Sequence, residues 1–305
     1  MSAPTAPSGP SAAPPHSPAA AIAGLLIVVT VWGLNFSVSK WALGQFPPFA
    51  FTAIRFALAA VLLALVLRWI EGPLTLPPGS LRRLAVLGLI GNTGYQLAFI
   101  SGLARTTATN SALVLASMPV MVAGLGALTR TERLDRRSRV ALLIAFLGVV
   151  LVIVHQGVRF SAATLDGDLL SLAAVVCWAV FTLGVRRLHT PLSPLAITAW
   201  TLMLGTPPLL AAGVPQLLTM DWSRVTWLGW AGLVYSSALS LVVAYILWNR
   251  SIRVVGTNRT AIFACLTPIV AMGAAALILA ERPGLVQLIG GAMVLGGVLL
   301  TVPRR

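Results

Sequence analysis

Ten apolar stretches, each about twenty residues long and almost free of charge, follow one another along this 305-residue chain. A helix of that length rises about 30 Å, the thickness of a hydrocarbon core. In lipid only a helix or a closed barrel satisfies every backbone group, and unbroken apolar runs of this length predict helices. The predicted spans are roughly 20–43, 48–69, 83–104, 109–130, 138–155, 167–188, 194–214, 225–249, 257–280 and 284–302. Only 9% of the residues are charged, against about 25% in soluble domains. That is too few to cover a water-exposed surface, so the second solvent is the bilayer. The expected fold class is an all-α membrane protein of ten transmembrane helices. Connections are short, and no soluble domain is inserted between spans.

A net charge of +14 raises a nucleic-acid reading, which the placement of the bases excludes. They sit in small groups between the apolar runs, as cytoplasmic Arg and Lys do. With a cytoplasmic N-terminus, one side collects Arg68, Arg82, Arg83, Arg130, Arg133, Arg136, Arg137, Arg139, Arg186, Arg187, Arg250, Arg253, Arg259, Arg304 and Arg305. The other side holds Lys40, Arg105, Arg159, Arg224 and Arg282. A split of 15 to 5 predicts both termini inside, and the alternation supports an even count of spans. Arg replaces Lys almost throughout, with abundant Ala, Gly and Leu. This points to a GC-rich bacterial genome and to the inner (plasma) membrane.

Residues 1–19 are rich in Pro, Ala and Ser without a charged side chain, a composition that predicts a disordered tail. They lack the basic n-region of a signal peptide. Cys177 and Cys265 fall in distant apolar spans and read as small core residues rather than a disulfide.

The second half of the chain repeats the first. Pro119, Glu132, Arg133, Gly148, Val149 and Leu151 return 149 positions later as Pro268, Glu281, Arg282, Gly297, Val298 and Leu300. At a shift of 146, Trp32 matches Trp178, Pro48 matches Pro194, Ala50 matches Ala196 and Thr52 matches Thr198. Between them the shift is 148, pairing Arg105 with Arg253 and Thr109–Asn110 with Thr257–Asn258. The expected units are 20–156 and 166–303, five helices each. Five is odd, so the copies face opposite ways across the membrane. Inverted repeats place a substrate site near the midplane between the halves.

Trp32-Gly33-Leu34-Asn35-Phe36, Arg55 early in the second helix, and Glu132-Arg133-Leu134 before a glycine-containing helix resemble the EamA family of the drug/metabolite transporter superfamily. The resemblance runs from about 20 to 303. It implies two inverted EamA repeats and export or exchange of small solutes, aromatic amino acids among them. The repeats depart from each other at telling places: Phe181 stands opposite Asn35, Thr201 opposite Arg55, and Pro283 opposite Leu134. Substrate identity therefore does not transfer with the family.

Arg55 is the one full charge well inside a span. At a helix centre an arginine costs about 2.5–3.5 kcal/mol to insert, less where it snorkels to the interface. It either binds an anionic group or holds a gate, or else anchors to neighbouring carbonyls. Asn92, Tyr95 and Gln96 share one face of the third span and face a cavity or another helix. Trp32, Asn35 and Ser39 share a face of the first span, and Trp178 and Thr182 of the sixth. Trp32 and Trp178 lie mid-span at equivalent positions, away from the interfacial belt of Trp41, Trp69, Trp222, Trp227 and Trp230. Two rings facing one cavity favour an aromatic or apolar substrate; the alternative is core packing. Tyr235, Ser236 and Ser240, with Tyr245 and Trp248 further along, add candidates in the eighth span. Pro119 and Pro268 predict matched kinks, either hinges or inherited shape. Ala141/Ala145 and Ala292/Gly296 are small-residue pairs that bring helices five and ten close to a neighbour, across the halves or between protomers. A monomer and a homodimer both remain open.

No P-loop motif exists, and Lys40 is the only lysine. His16, His155 and His189 are scattered, so neither a metal cluster nor a nucleophile–base pair is expected. Asp168 and Glu281 fall at span ends, leaving no acid at mid-depth for proton coupling. An intramembrane enzyme and a non-transporting scaffold are the rivals. The expected function is cofactor-free secondary transport of a small-molecule substrate by alternating access. Trp32, Asn35, Arg55, Asn92, Tyr95, Gln96, Trp178 and Tyr235 are the expected lining, and the substrate is an amino acid, a lipophilic drug or another metabolite.

Overall fold

Mostly helix, with polar side chains turned inward and large apolar ones outward, is what the composition demands, and the computed structural model has that form. It describes residues 18–129, 136–154, 162–188, 190–255, 263, 264 and 266–301. The tail to residue 17, the Glu132-Arg133-Leu134 motif, Thr257–Asn258, Cys265 and the three histidines' expected positions lie outside the described residues.

Among the described residues there is no strand. The helices are α1 (Pro18–Ala42), α2 (Pro48–Glu71), α3 (Ser80–Arg105), α4 (Ala108–Leu115), α5 (Met118–Leu128), α6 (Arg136–Val154), α7 (Ala162–Arg186), α8 (Pro194–Thr219), α9 (227–255), α10 (Thr267–Ile278) and α11 (Leu285–Thr301). Seven helical stretches are long and apolar enough to cross a membrane, α4 and α5 together forming one of them. Three more apolar helices are shorter, at Arg139–Val152, Thr267–Ile278 and Leu285–Leu300. Helix α1 starts at Pro18, slightly earlier than the composition break suggests.

Two features interrupt the regular ladder. Helix α3 carries a π-helical segment at Leu89–Gly94, and α9 carries one at Tyr235–Val243. The 148-residue shift places these over each other. The expected kinks at Pro119 and Pro268 are not mid-helix bends: each proline stands in the first turn of a new helix, α5 or α10. The ring lacks an N–H and suits that first turn. It withdraws the donor that the carbonyl four residues earlier would use, at Leu115 and Ala264.

Helices pack mainly across the two halves of the chain. α2 and α8 run antiparallel. Gln216 near the end of α8 accepts from the Phe49 and Ala50 N–H groups that open α2, at 2.7 and 3.1 Å. At the opposite end Ser193, the N-cap of α8, donates to Glu71 at 2.6 Å. α6 and α11 are also antiparallel and very close. A Cβ on Gly148 would stand 2.7 Å from the Gly290 carbonyl oxygen, and one on Gly297 2.6 Å from Ala145 Cβ. Ala141 and Ala145 thus make the contact expected of them. Their expected counterparts do not: Ala292 is exposed and Gly296 faces open space. Gly290, Val294 and Gly297 form the contact instead, because a shift of one or two residues turns a helix face by 100–200°. α1 lies against α9 and α10, and α7 against α3, α4 and α5.

Outward faces carry Val61, Leu65, Trp69, Phe146, Leu218 and Leu277, all exposed. Buried instead are Ser39, Asn110, Asp168, Ser171 and Ser236. Lipid cannot hydrogen-bond such groups, so they turn to one another.

A cavity closed at one end

A connected polar network closes one end of the bundle. There the ammonium of Lys40, at the end of α1, donates to the carbonyls of Leu103, Ala104 and Thr106, at 2.7, 3.1 and 2.6 Å. These carbonyls belong to the last turn of α3 and its C-cap, which a cation complements. Glu281, just beyond α10, accepts from the Ala108 and Thr109 N–H groups that begin α4, at 2.8 and 3.0 Å. Asp168 lies near the start of α7, in the first turn of its apolar span as expected, and is fully buried. It accepts from Thr106 Oγ1 and from Asn110 Nδ2, while Asn110 Oδ1 accepts from Gln287 Nε2 at 2.6 Å. Five helices and the link that follows α10 are tied together there.

From mid-depth toward the opposite end the bundle opens into a cavity of about 490 Å³, within the range of about 300–1,000 Å³ usual for small-molecule sites. On α7 its lining runs from Trp178 through Thr182 to Arg186, and on α9 from Ser240 through Tyr245 to Trp248. Both helix breaks border it, through Leu115, Ala116, Met118 and Pro119, and through Ala264, Thr267 and Pro268.

Of the residues expected to line a site, Trp32, Asn35, Arg55, Asn92, Tyr95, Gln96 and Trp178 all face this one cavity. Tyr235 does not. Its hydroxyl donates to the Val31 carbonyl at 2.9 Å, sealing α9 to α1. The sequence could not distinguish the seam from the cavity face on α9, because the π segment alters the phase of everything that follows it. Ser240, Tyr245 and Trp248, the further candidates of the eighth span, also line it, as do the unanticipated Phe36, Phe56, Phe99, Arg186 and Thr267. Tyr245 and Trp248 were legible because they are aromatic and one turn apart in that span.

The rings form two groups, one on each flank. Trp32 lies 5.9 Å from Tyr245 and 5.1 Å from Trp248, centroid to centroid. Trp178 lies 5.3 Å from both Tyr95 and Phe181, and Tyr95 stacks on Phe99 at 5.9 Å. Trp32 is fixed by its Nε1–H, which donates to the Ser240 carbonyl at 3.1 Å. Asn35 Oδ1 accepts from Ser236 Oγ at 2.8 Å.

Arg55 does not snorkel. It is 3% exposed, and its Nε donates to the Ser236 carbonyl at 3.3 Å. Its guanidinium carbon sits 6.0 Å from the Phe51 ring centre and 5.7 Å from that of Phe56. Buried without a partner are Arg55 Nη1, Gln96 Nε2 and Thr267 Oγ1, three of five such side-chain atoms among the described residues. All three belong to residues lining the cavity. No Asp or Glu is among its described lining residues. No group of three metal-ligating side chains occurs among the described residues.

Comparison with known proteins gives one consistent result. The pattern of the EamA-like transporter family matches twice, over residues 19–154 and 165–302. The uncharacterized transporter YyaM of Bacillus subtilis (strain 168) is 30% identical over 88% of this chain and 88% of its own. A probable amino-acid metabolite efflux pump of Escherichia coli (strain K12) is 28% identical over 91% and 93%. Its namesake in Salmonella typhimurium is 27% identical over the same shares. A solved crystal structure superposes with a TM-score of 0.61 at 18% identity, over 93% of this chain and 97% of that one, which shows a shared fold. These relatives are named as transporters and efflux pumps, not as enzymes.

Proposed function

Because the chain belongs to the EamA-like transporter family and is a multi-pass membrane protein, we propose that it exports or exchanges small metabolites across a bacterial inner membrane by alternating access, amino acids with aromatic or hydrophobic side chains first among them. One observation carries the reading. A cavity of about 490 Å³ is bounded by polar and aromatic residues from both halves, and a polar network ties the helices at the end away from it. That is the arrangement of one half-cycle, with one side open and the other shut.

The finer architecture belongs to the same proposal: ten crossings, made of two five-helix copies in opposite orientation. It is supported by the antiparallel packing of α2 with α8 and of α6 with α11, since each pair holds the same position in its own half. The matched π segments and matched proline breaks point the same way. The bias of basic residues supports both termini in the cytoplasm. On that orientation the cavity faces the cytoplasm, ready to load a solute for export. The amino-acid part draws on the printed names of the efflux-pump relatives and on the two groups of rings.

Purified protein in proteoliposomes, offered labelled tryptophan, phenylalanine and alanine, tests this. The expected result is protein-dependent flux that favours the aromatic pair without an imposed proton gradient. No flux of any of the three, from protein shown to be folded, overturns the amino-acid reading and favours drugs or other metabolites.

A further inference from the structure

The charge inside the cavity is one-sided. Arg55 carries a full positive charge at 3% exposure, and among the described residues no carboxylate pairs with it. The seven acids of the chain are Glu71, Glu132, Asp135, Asp166, Asp168, Asp221 and Glu281; none is among the described lining residues. A buried guanidinium without a counter-ion is costly to keep. The neighbouring Phe51 and Phe56 rings position it but do not neutralise it. Its Nε is held by the Ser236 carbonyl, while Nη1 is buried without a partner. A second unused donor, the Gln96 amide, lies on the same cavity at 1% exposure. Two spare donors, one of them charged, match the two oxygens of a carboxylate.

We infer that Arg55 and Gln96 form an anion subsite, and that the cavity takes carboxylates bearing an aryl or bulky apolar body, with the ammonium group of an amino acid dispensable. The body rests between the Trp32–Tyr245–Trp248 rings and the Trp178–Tyr95 pair. An ammonium group finds no acid there. It meets ring faces and amide oxygens, which attract a cation only weakly. The charge balance therefore selects for the acid and is indifferent to the amine. This deepens the transporter reading and rests on it for its physiological meaning, but its test is equilibrium binding and needs no flux.

The experiment is isothermal titration calorimetry of the full chain in nanodiscs with three probes: phenylalanine, 3-phenylpropionate, which lacks the amine, and phenethylamine, which lacks the carboxylate. The expected order has phenylalanine and 3-phenylpropionate within about threefold of each other and phenethylamine weaker by about tenfold or more. Arg55→Gln weakens both acids by about tenfold or more and leaves the amine unchanged. Arg55→Lys restores part of the loss, because it returns the charge without the planar fork. Gln96→Leu weakens the acids by a smaller factor. Should Arg55→Gln fail to fold, the comparison of acid with amine on the unaltered chain decides alone. Phenethylamine binding as tightly as 3-phenylpropionate overturns the inference. So does a folded Arg55→Gln variant that keeps its acid affinity, or an unaltered chain that binds none of the three probes. Flux of some other solute in proteoliposomes would, in that last case, leave transport standing while the anion subsite falls.

Discussion

Asn110 holds Asp168 and Gln287 at once. Its Nδ2 donates to an Asp168 carboxylate oxygen at 3.1 Å, and its Oδ1 accepts from Gln287 Nε2 at 2.6 Å. One side chain on α4 thereby joins α7 to α11. Asp168→Ala strands both Asn110 and Thr106, and the expected loss is about 1–3 kcal/mol of stability. Asp168→Asn keeps an acceptor and costs less. Thermal unfolding in detergent ranks the two; equal midpoints would contradict the role given to this carboxylate.

Lys40 binds three carbonyls at the end of α3. Lys40→Met preserves the bulk and removes all three bonds. A fall of about 1–2 kcal/mol is expected, since a cation at a helix C-terminus acts both through hydrogen bonds and through the helix dipole. Chemical denaturation compared with the unaltered protein reads it.

The close contact of α6 with α11 separates two neighbouring glycines. Gly297→Ala puts a methyl group within 2.6 Å of Ala145 Cβ and 2.7 Å of the Ala141 carbonyl, whereas Gly296→Ala meets nothing within 4 Å. The first is expected to cost about 1–3 kcal/mol by overpacking. The second should be neutral or slightly stabilising, because alanine is the better helix former. Yield of folded protein and melting temperature distinguish them, and identical behaviour would refute the packing described.

Trp32 and Trp178 stand in different ring groups on opposite flanks of the cavity. Trp178→Ala removes the ring packed on Tyr95 and Phe181, and Trp32→Ala the one packed on Tyr245 and Trp248. Each is expected to lower affinity for phenylalanine by about tenfold while affecting alanine little, given about 0.5–1.5 kcal/mol per aromatic pair beyond buried area. Competition against labelled phenylalanine measures this, and an equal loss for both amino acids would mean that the rings only support the fold.

Hydropathy alone located the long spans, because length and absence of charge are what a bilayer selects. Arg55 stood out because a lone charge within a span needs a reason. Trp32 and Trp178 stood out because the repeat put both away from the interface. Asp168 was read as a span end and does lie near the start of α7; its burial against Thr106 and Asn110 is set by packing, which hydropathy does not report. The π segments left no trace in composition, so the side of α9 that meets the cavity was not readable, and Tyr235 was placed on the wrong side of it. Pro119 and Pro268 announced an irregularity but not its form. Whether a proline bends a helix or begins one depends on the preceding turn, which packing decides.

The most extensively packed helix pairs, α6 with α11, α2 with α8, α3 with α7 and α1 with α9, each draw one member from either half of the chain. A half on its own would therefore bury little and leave its small-residue faces without a complement. The length that one copy encodes is not a folding unit. Expressed alone, either half would have to meet a complementary surface before its helices could settle, so separate halves are expected to need co-expression to fold.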